Sequence, residues 1–266
     1  MLNELRQVIN EELGISAEVV NLSKRFYNEM IESLATPEKV EKTEIMVKKT
    51  CSMRFSFDAV TVNSSIVYRN FLSKDYSKVY ETPYVTDGGS FMLSKKMFFC
   101  FVNFYGVCGT INKEKAMETI QHEIEHIYQQ SRMGKDFGRE EIYVQVKNDM
   151  RSTDPIRQKV AKMLYYSFKS EQEGFANGLY GYIMDKNQPY TEDLLKESEA
   201  WEIYTFLKQG IIELKTNEEM KMVFNEYFTR FGVKVSDIER ETENFLRRIG
   251  RVVIKVQKDK DKQGWR

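Results

Sequence analysis

Both histidines of this chain lie in one five-residue stretch, His122-Glu123-Ile124-Glu125-His126, four positions apart. The spacing constrains the backbone. On a helix, positions i and i+4 share a face, whereas in a strand they would be about 13 Å apart along the axis. The pair therefore predicts a helix, with Asn112 as its candidate cap. On that helix His122 and His126 can face one metal ion. Glu123 lies about 100° around from His122 and stays near the same face. Ala116, Ile120, Ile124 and Ile127 form the opposing apolar stripe. Two imidazoles with an adjacent carboxylate are the parts of a metal site that carries its own base. Glu125 falls on another aspect of the helix and is expected in solvent.

The flanking sequence changes period twice. Residues 3–35 read as two helices broken near Gly14-Ile15-Ser16, with Val19, Val20, Leu22, Phe26, Met30 and Leu34 as a stripe and Pro37 closing the segment. Met53, Phe55 and Phe57 then alternate with polar residues, which is strand spacing. Further β-like runs cover 43–49, 59–68, 90–94 and 97–105, with Asp87-Gly88-Gly89 as a turn. From residue 112 the pattern is helical almost to the end. Asp154-Pro155 is a helix start; Thr216 with Glu219, and Ser236 with Glu239, have capping-box spacing. The tail KDKDKQGWR is expected to fray. Together these predict an α+β fold: N-terminal helices, a small, mostly antiparallel sheet, then a largely helical C-terminal half carrying the metal site. The segments are 1–40, 41–110 and 111–266, forming one compact unit.

Composition narrows the function classes. Lys+Arg and Asp+Glu are 40 each, so the net charge is zero. That argues against a nucleic-acid or membrane partner held by overall charge. The three cysteines, Cys51, Cys100 and Cys108, are odd in number and lack C-x-x-C spacing, which points to buried thiols in a reducing compartment. No apolar run approaches the length of a membrane span. The first residues, MLNELRQVINEELG, carry regular charges and no apolar signal core. The expected location is cytoplasmic, or otherwise without a Sec signal peptide.

A catalytic zinc usually takes three protein ligands and leaves one position for water. No third histidine exists, and Gln129 stands where H-E-x-x-H-x-x-G-x-x-H sites have glycine, so the third ligand must be a downstream carboxylate. The best candidate stretch is Ser170-Glu171-Gln172-Glu173-Gly174-Phe175-Ala176-Asn177 on a second helix. Gly174, Gly178 and Gly181 there allow two backbones to approach closely, and Asn177 is placed to hydrogen-bond a histidine's second nitrogen. Glu173 is the preferred ligand. Capping with Ser170, and Glu171 as the ligand instead, are the other readings.

The residues resemble those of the gluzincin metallopeptidases, in which a glutamate on a second helix completes an H-E-x-x-H site. Glu173-Gly174-Phe175-Ala176 is similar to the E-G-F-A of alanyl-type zinc aminopeptidases. Glu171-x-Glu173-Gly174 looks like the E-x-E-A of ImmA/IrrE-like peptidases. These motifs cover some fifteen residues. No G-x-M-x-N exopeptidase motif is present. The resemblance implies a zincin-like fold and one Zn2+ held by His122, His126 and Glu173. It also implies Glu123 as general base and a protein or peptide substrate cleaved by an endopeptidase. With no histidine left as oxyanion donor, Tyr180 and Tyr182 are the nearest candidates, core packing being their other role. In zincin folds the strand before the metal helix pairs with extended substrate; Met97 to Tyr105 is the candidate edge, or else a buried central strand. The alternative function is a catalytically silent zincin-fold structural or binding protein.

Overall fold

A computed structural model describes residues 16–34, 44–55, 58–70, 84–94, 97–106, 113–133 and 141–264. They form nine helices and four strands: α1 (Ala17–Leu34), β1 (Glu44–Phe55), β2 (Asp58–Asn70), β3 (Tyr84–Ser94), β4 (Met97–Gly106), α2 (Lys113–Met133), α3 (Glu141–Asp149), α4 (Pro155–Ser167), α5 (Lys169–Asp185), α6 (Glu192–Lys196), α7 (Glu199–Thr216), α8 (Glu218–Phe231) and α9 (Val235–Lys262). The described residues are mostly helical. This corrects the expected α+β class with its small, mostly antiparallel sheet. The strands form one sheet of order β1-β2-β4-β3, in which β1-β2 and β3-β4 pair antiparallel and the central pair, β2 and β4, is parallel. Period-two spacing marks where strands lie, but pairing direction depends on long-range contacts that the spacing does not encode.

Two further strand expectations are corrected. Asp87-Gly88-Gly89 is not a turn but lies inside β3, opposite Asn103, Val102 and Phe101 of β4. Met97 to Tyr105 is not an edge, because β4 is flanked by β2 and β3; the central-strand reading is the one that holds. Asn112, Cys108, Phe57, Pro37 and residues 1–15 lie outside the described residues, as do the side chains of Cys51 and Cys100.

By contact, the described residues divide into two compact units, Gly14–Gly134 with Tyr180–Asn187, and Lys135–Leu179 with Gln188–Arg266. The division falls within α5, which is one continuous helix. In the first unit α2 packs on α1 and on strands β3 and β4. Ser16 starts α1, its hydroxyl accepting from the Glu18 N–H at 3.2 Å. Val19, Ser23, Phe26 and Tyr27 form the buried face of α1. Ala116, Ile120, Ile124 and Ile127 of α2 are all fully buried, as their spacing predicts.

The second unit is wholly helical. Asp154 caps α4 as expected: its carboxylate accepts from the Ile156 N–H at 2.9 Å, with Pro155 at the first helical position. The other two caps differ from expectation. Thr216 ends α7, and Asn217 caps α8 by accepting from the Met220 N–H at 3.1 Å. Asp237, not Glu239, completes the start of α9 by accepting from the Lys234 N–H at 2.9 Å. Gly232, at φ 71°, closes α8 in the left-handed region where side chains are disfavoured. The tail does not fray before Lys262; α9 runs to that residue and buries Lys260. Among the described residues no helix is long and apolar enough to cross a membrane.

Gly210 sets the contact of α7 with α4. A Cβ there would lie 2.6 Å from Met163 Sδ and 3.1 Å from its Cγ. Gly210→Ala gains about 1 kcal/mol in helix propensity but overpacks a site where that typically costs about 1–3 kcal/mol. A net loss of about 1 kcal/mol is expected, seen as a lower urea midpoint; a higher midpoint would contradict this packing.

Candidate metal centre

The histidine helix α2 is buried around nearly its whole circumference. Glu118, Gln121, His122, Glu123, Glu125, His126 and Gln129 are all buried alongside its apolar stripe. Glu125, expected in solvent, is only 5% exposed. The reason is that α1 and the sheet both pack on α2, which leaves little of it to water. Carboxylates are rarely buried without a partner. Glu118 has Lys115 at 2.9 Å, and Glu125 accepts from Gln129 Nε2 at 3.3 Å.

The last turns of α5 meet side chains of α2 within the first unit. A Cβ on Gly181 would collide with Gln121 Oε1 and fall 3.2 Å from Met117 Cγ, so this glycine leaves room for those two side chains of α2. Tyr182 lies between Lys115 and Lys186, whose ammonium groups are 5.0 and 5.2 Å from its ring centroid. Lys186 also pairs with Glu114 at 3.8 Å. Burial, with Asp185 and Glu114 nearby, pushes the Tyr27 hydroxyl well above its usual range.

The first turns of α5 carry Glu171, which is 0% exposed. Within the helical unit Tyr143 of α3 donates its hydroxyl to Glu171 Oε1 at 2.9 Å. The Tyr143 ring is held by Phe168, 5.3 Å away, and by Lys147, 4.9 Å from its centroid. Burial, together with Glu199, Glu202 and Glu171, pushes the nearby Tyr166 hydroxyl up to about 12, so it stays protonated at neutral pH.

His122, His126 and Glu171 each offer one ligand atom, and these atoms all lie within 4.8 Å of one another. The two imidazoles meet edge to face, with centroids 4.5 Å apart. Tetrahedral coordination with bonds of about 2.1 Å would put donors about 3.4 Å apart. The group can hold a metal ion.

The predicted site residues divide clearly. His122 and His126 come together as expected, and Glu123 is buried beside them on α2. Glu173 does not join them: its carboxylate is 34% exposed and pairs with Lys169 at 3.6 Å. Glu171 takes its place, two residues earlier. Because α5 begins at Lys169, Ser170 is inside the helix and is not its cap. Asn177 gives its amide N–H to the Glu173 carbonyl at 3.1 Å rather than to a histidine. Tyr180 and Tyr182 are nine and eleven residues beyond Glu171 on α5, about 13 and 16 Å along the axis. Both are buried in packing, Tyr182 against two lysines. The sequence reading missed Tyr143, which is 28 residues from its partner and carries no local signal.

No protein-family model, curated protein or solved structure matches the chain.

Metal titration of single variants checks the ligand set. Glu171→Ala should weaken Zn2+ binding by more than the roughly 10–100-fold that an outer-shell change costs, while Glu173→Ala should leave it within a few-fold of the parent. Equal losses would mean that Glu171 is not the ligand.

Proposed function

We propose that this chain is a zinc-dependent peptide-bond hydrolase of the endopeptidase kind, with His122, His126 and Glu171 holding one Zn2+. The observation that carries the reading is the convergence of three buried donor atoms within 4.8 Å, with Glu123 buried next to His122 on the same helix. A metal site that only holds structure has no need of that extra acid. When bound there, zinc supplies Lewis acidity and brings the pKa of a coordinated water toward about 7.

The chain's own groups then have distinct roles. Glu123 takes the proton of the attacking water on its carboxylate and returns it to the leaving amine, as a general base and acid. Tyr143 orients Glu171 through its hydroxyl. The buried setting of α2 excludes bulk water and strengthens each of these interactions. A peptide substrate is supported by β3, a sheet edge among the described strands that packs against α2. An edge strand of this kind offers unpaired main-chain groups to an extended chain. The balanced charge gives no support to a nucleic-acid or membrane partner.

A second reading, a catalytically silent structural or binding protein that keeps the metal, is favoured by the depth of the donors. Glu171 is fully buried and both histidines are less than a tenth exposed. One experiment separates the two. The zinc content of purified protein is measured, and cleavage of a peptide library is followed by mass spectrometry for the parent and Glu123→Gln. The hydrolase reading expects one zinc per chain in both, with cleavage falling by at least about 100-fold in the variant. Zinc in both with cleavage in neither establishes the silent reading. Absence of zinc from both removes the two together.

A further inference from the structure

A second polar chain lies one turn along α2 from the paired histidines. Gln129 Oε1 is 3.3 Å from His126 Nδ1, and Gln129 Nε2 is 3.3 Å from Glu125 Oε1. All three side chains are buried, so these are not solvated surface contacts. Their chemistry fixes a direction. A carboxylate only accepts, so Gln129 must present its N–H group to Glu125. Its carbonyl oxygen then faces His126, and a carbonyl cannot donate. The hydrogen of that contact therefore belongs to His126 Nδ1. A neutral imidazole has one N–H, so Nε2 keeps a bare lone pair.

We propose that Glu125 and Gln129 are positioning residues that hold His126 as its Nδ1–H tautomer and so present Nε2 as a ligand. The purpose of the Nε2 lone pair rests on the metal-centre reading above; the tautomer itself does not. Holding it this way has two effects. The ring is prevented from turning Nδ1 toward the ion, and hydrogen bonding to Nδ1–H raises the basicity of Nε2. It also accounts for a buried carboxylate and a buried amide at positions 125 and 129, where an apolar side chain would pack without a polar cost.

The test uses the full chain with 15N-labelled imidazole, first without metal. With only two histidines, two-bond 15N–1H correlation spectra contain two ring systems, and a His122→Asn variant assigns them. In the metal-free parent at pH 8, His126 should show a protonated Nδ1 and an unprotonated Nε2. Gln129→Leu should shift His126 toward the Nε2–H form and weaken Zn2+ binding about 10–100-fold. The double variant Glu125→Gln/Gln129→Glu keeps a donor–acceptor chain and should retain both the Nδ1–H tautomer and affinity within a few-fold. Thermal melting of each metal-free variant verifies folding; if Gln129→Leu does not fold, the parent spectrum and the double variant decide. An Nε2–H tautomer or an imidazolium at His126 in the parent overturns the proposal, whatever the metal data. An Nδ1–H tautomer in a chain that binds no zinc upholds the orienting role and overturns the metal-centre reading instead.

Discussion

The continuity of α5 from Lys169 to Asp185 is the constraint on which the candidate centre depends. One end of this helix is fastened to α2 through Gly181, Tyr182 and Lys186. The other end carries Glu171 under the hydroxyl of Tyr143. An α-helix advances 1.5 Å per residue, so ten residues of unbroken backbone carry the acid a fixed distance from the anchored end. A kink anywhere between would misplace a group that must meet its partners within a few ångströms.

The histidine pair was legible because its geometry is local: four residues on one helix fix a shared face without reference to the remaining fold. The apolar stripe Ala116, Ile120, Ile124 and Ile127 was legible for the same reason. The third ligand was misplaced by two residues, although period carried a usable signal. Glu171 falls on the line Phe175, Leu179 and Ile183, every fourth residue and all buried. Glu173 falls instead on the line of Lys169, which it meets at the surface. An acid within an apolar stripe is the rarer and more informative placement. Motif likeness favoured the other glutamate.

What was not legible is what long-range contacts decide. Strand order put β4 inside the sheet, and pairing with β4 drew Asp87-Gly88-Gly89 into β3 despite its turn-like composition. Packing on more than one side of α2 buried Glu125, which a one-face view of an amphipathic helix places in water. Tyr143 and Glu171 meet across 28 residues, and no spacing rule anticipates such a pair. Cap chemistry was mixed. Asp154-Pro155 was read correctly because proline fixes the start, whereas serine and threonine signals one residue from a junction left the cap residue open.

The glycine at 181 has a consequence for alignment as well as for closeness. Sliding α5 by one turn, about 5.4 Å, would bring Asp185 toward this place in one direction and Asn177 or Gly178 in the other. There even a first side-chain carbon would collide with Gln121. Seating a larger residue there would require the Gln121 carboxamide and the Met117 side chain to swing aside, so the missing methyl favours the present longitudinal setting of this stretch of the rod.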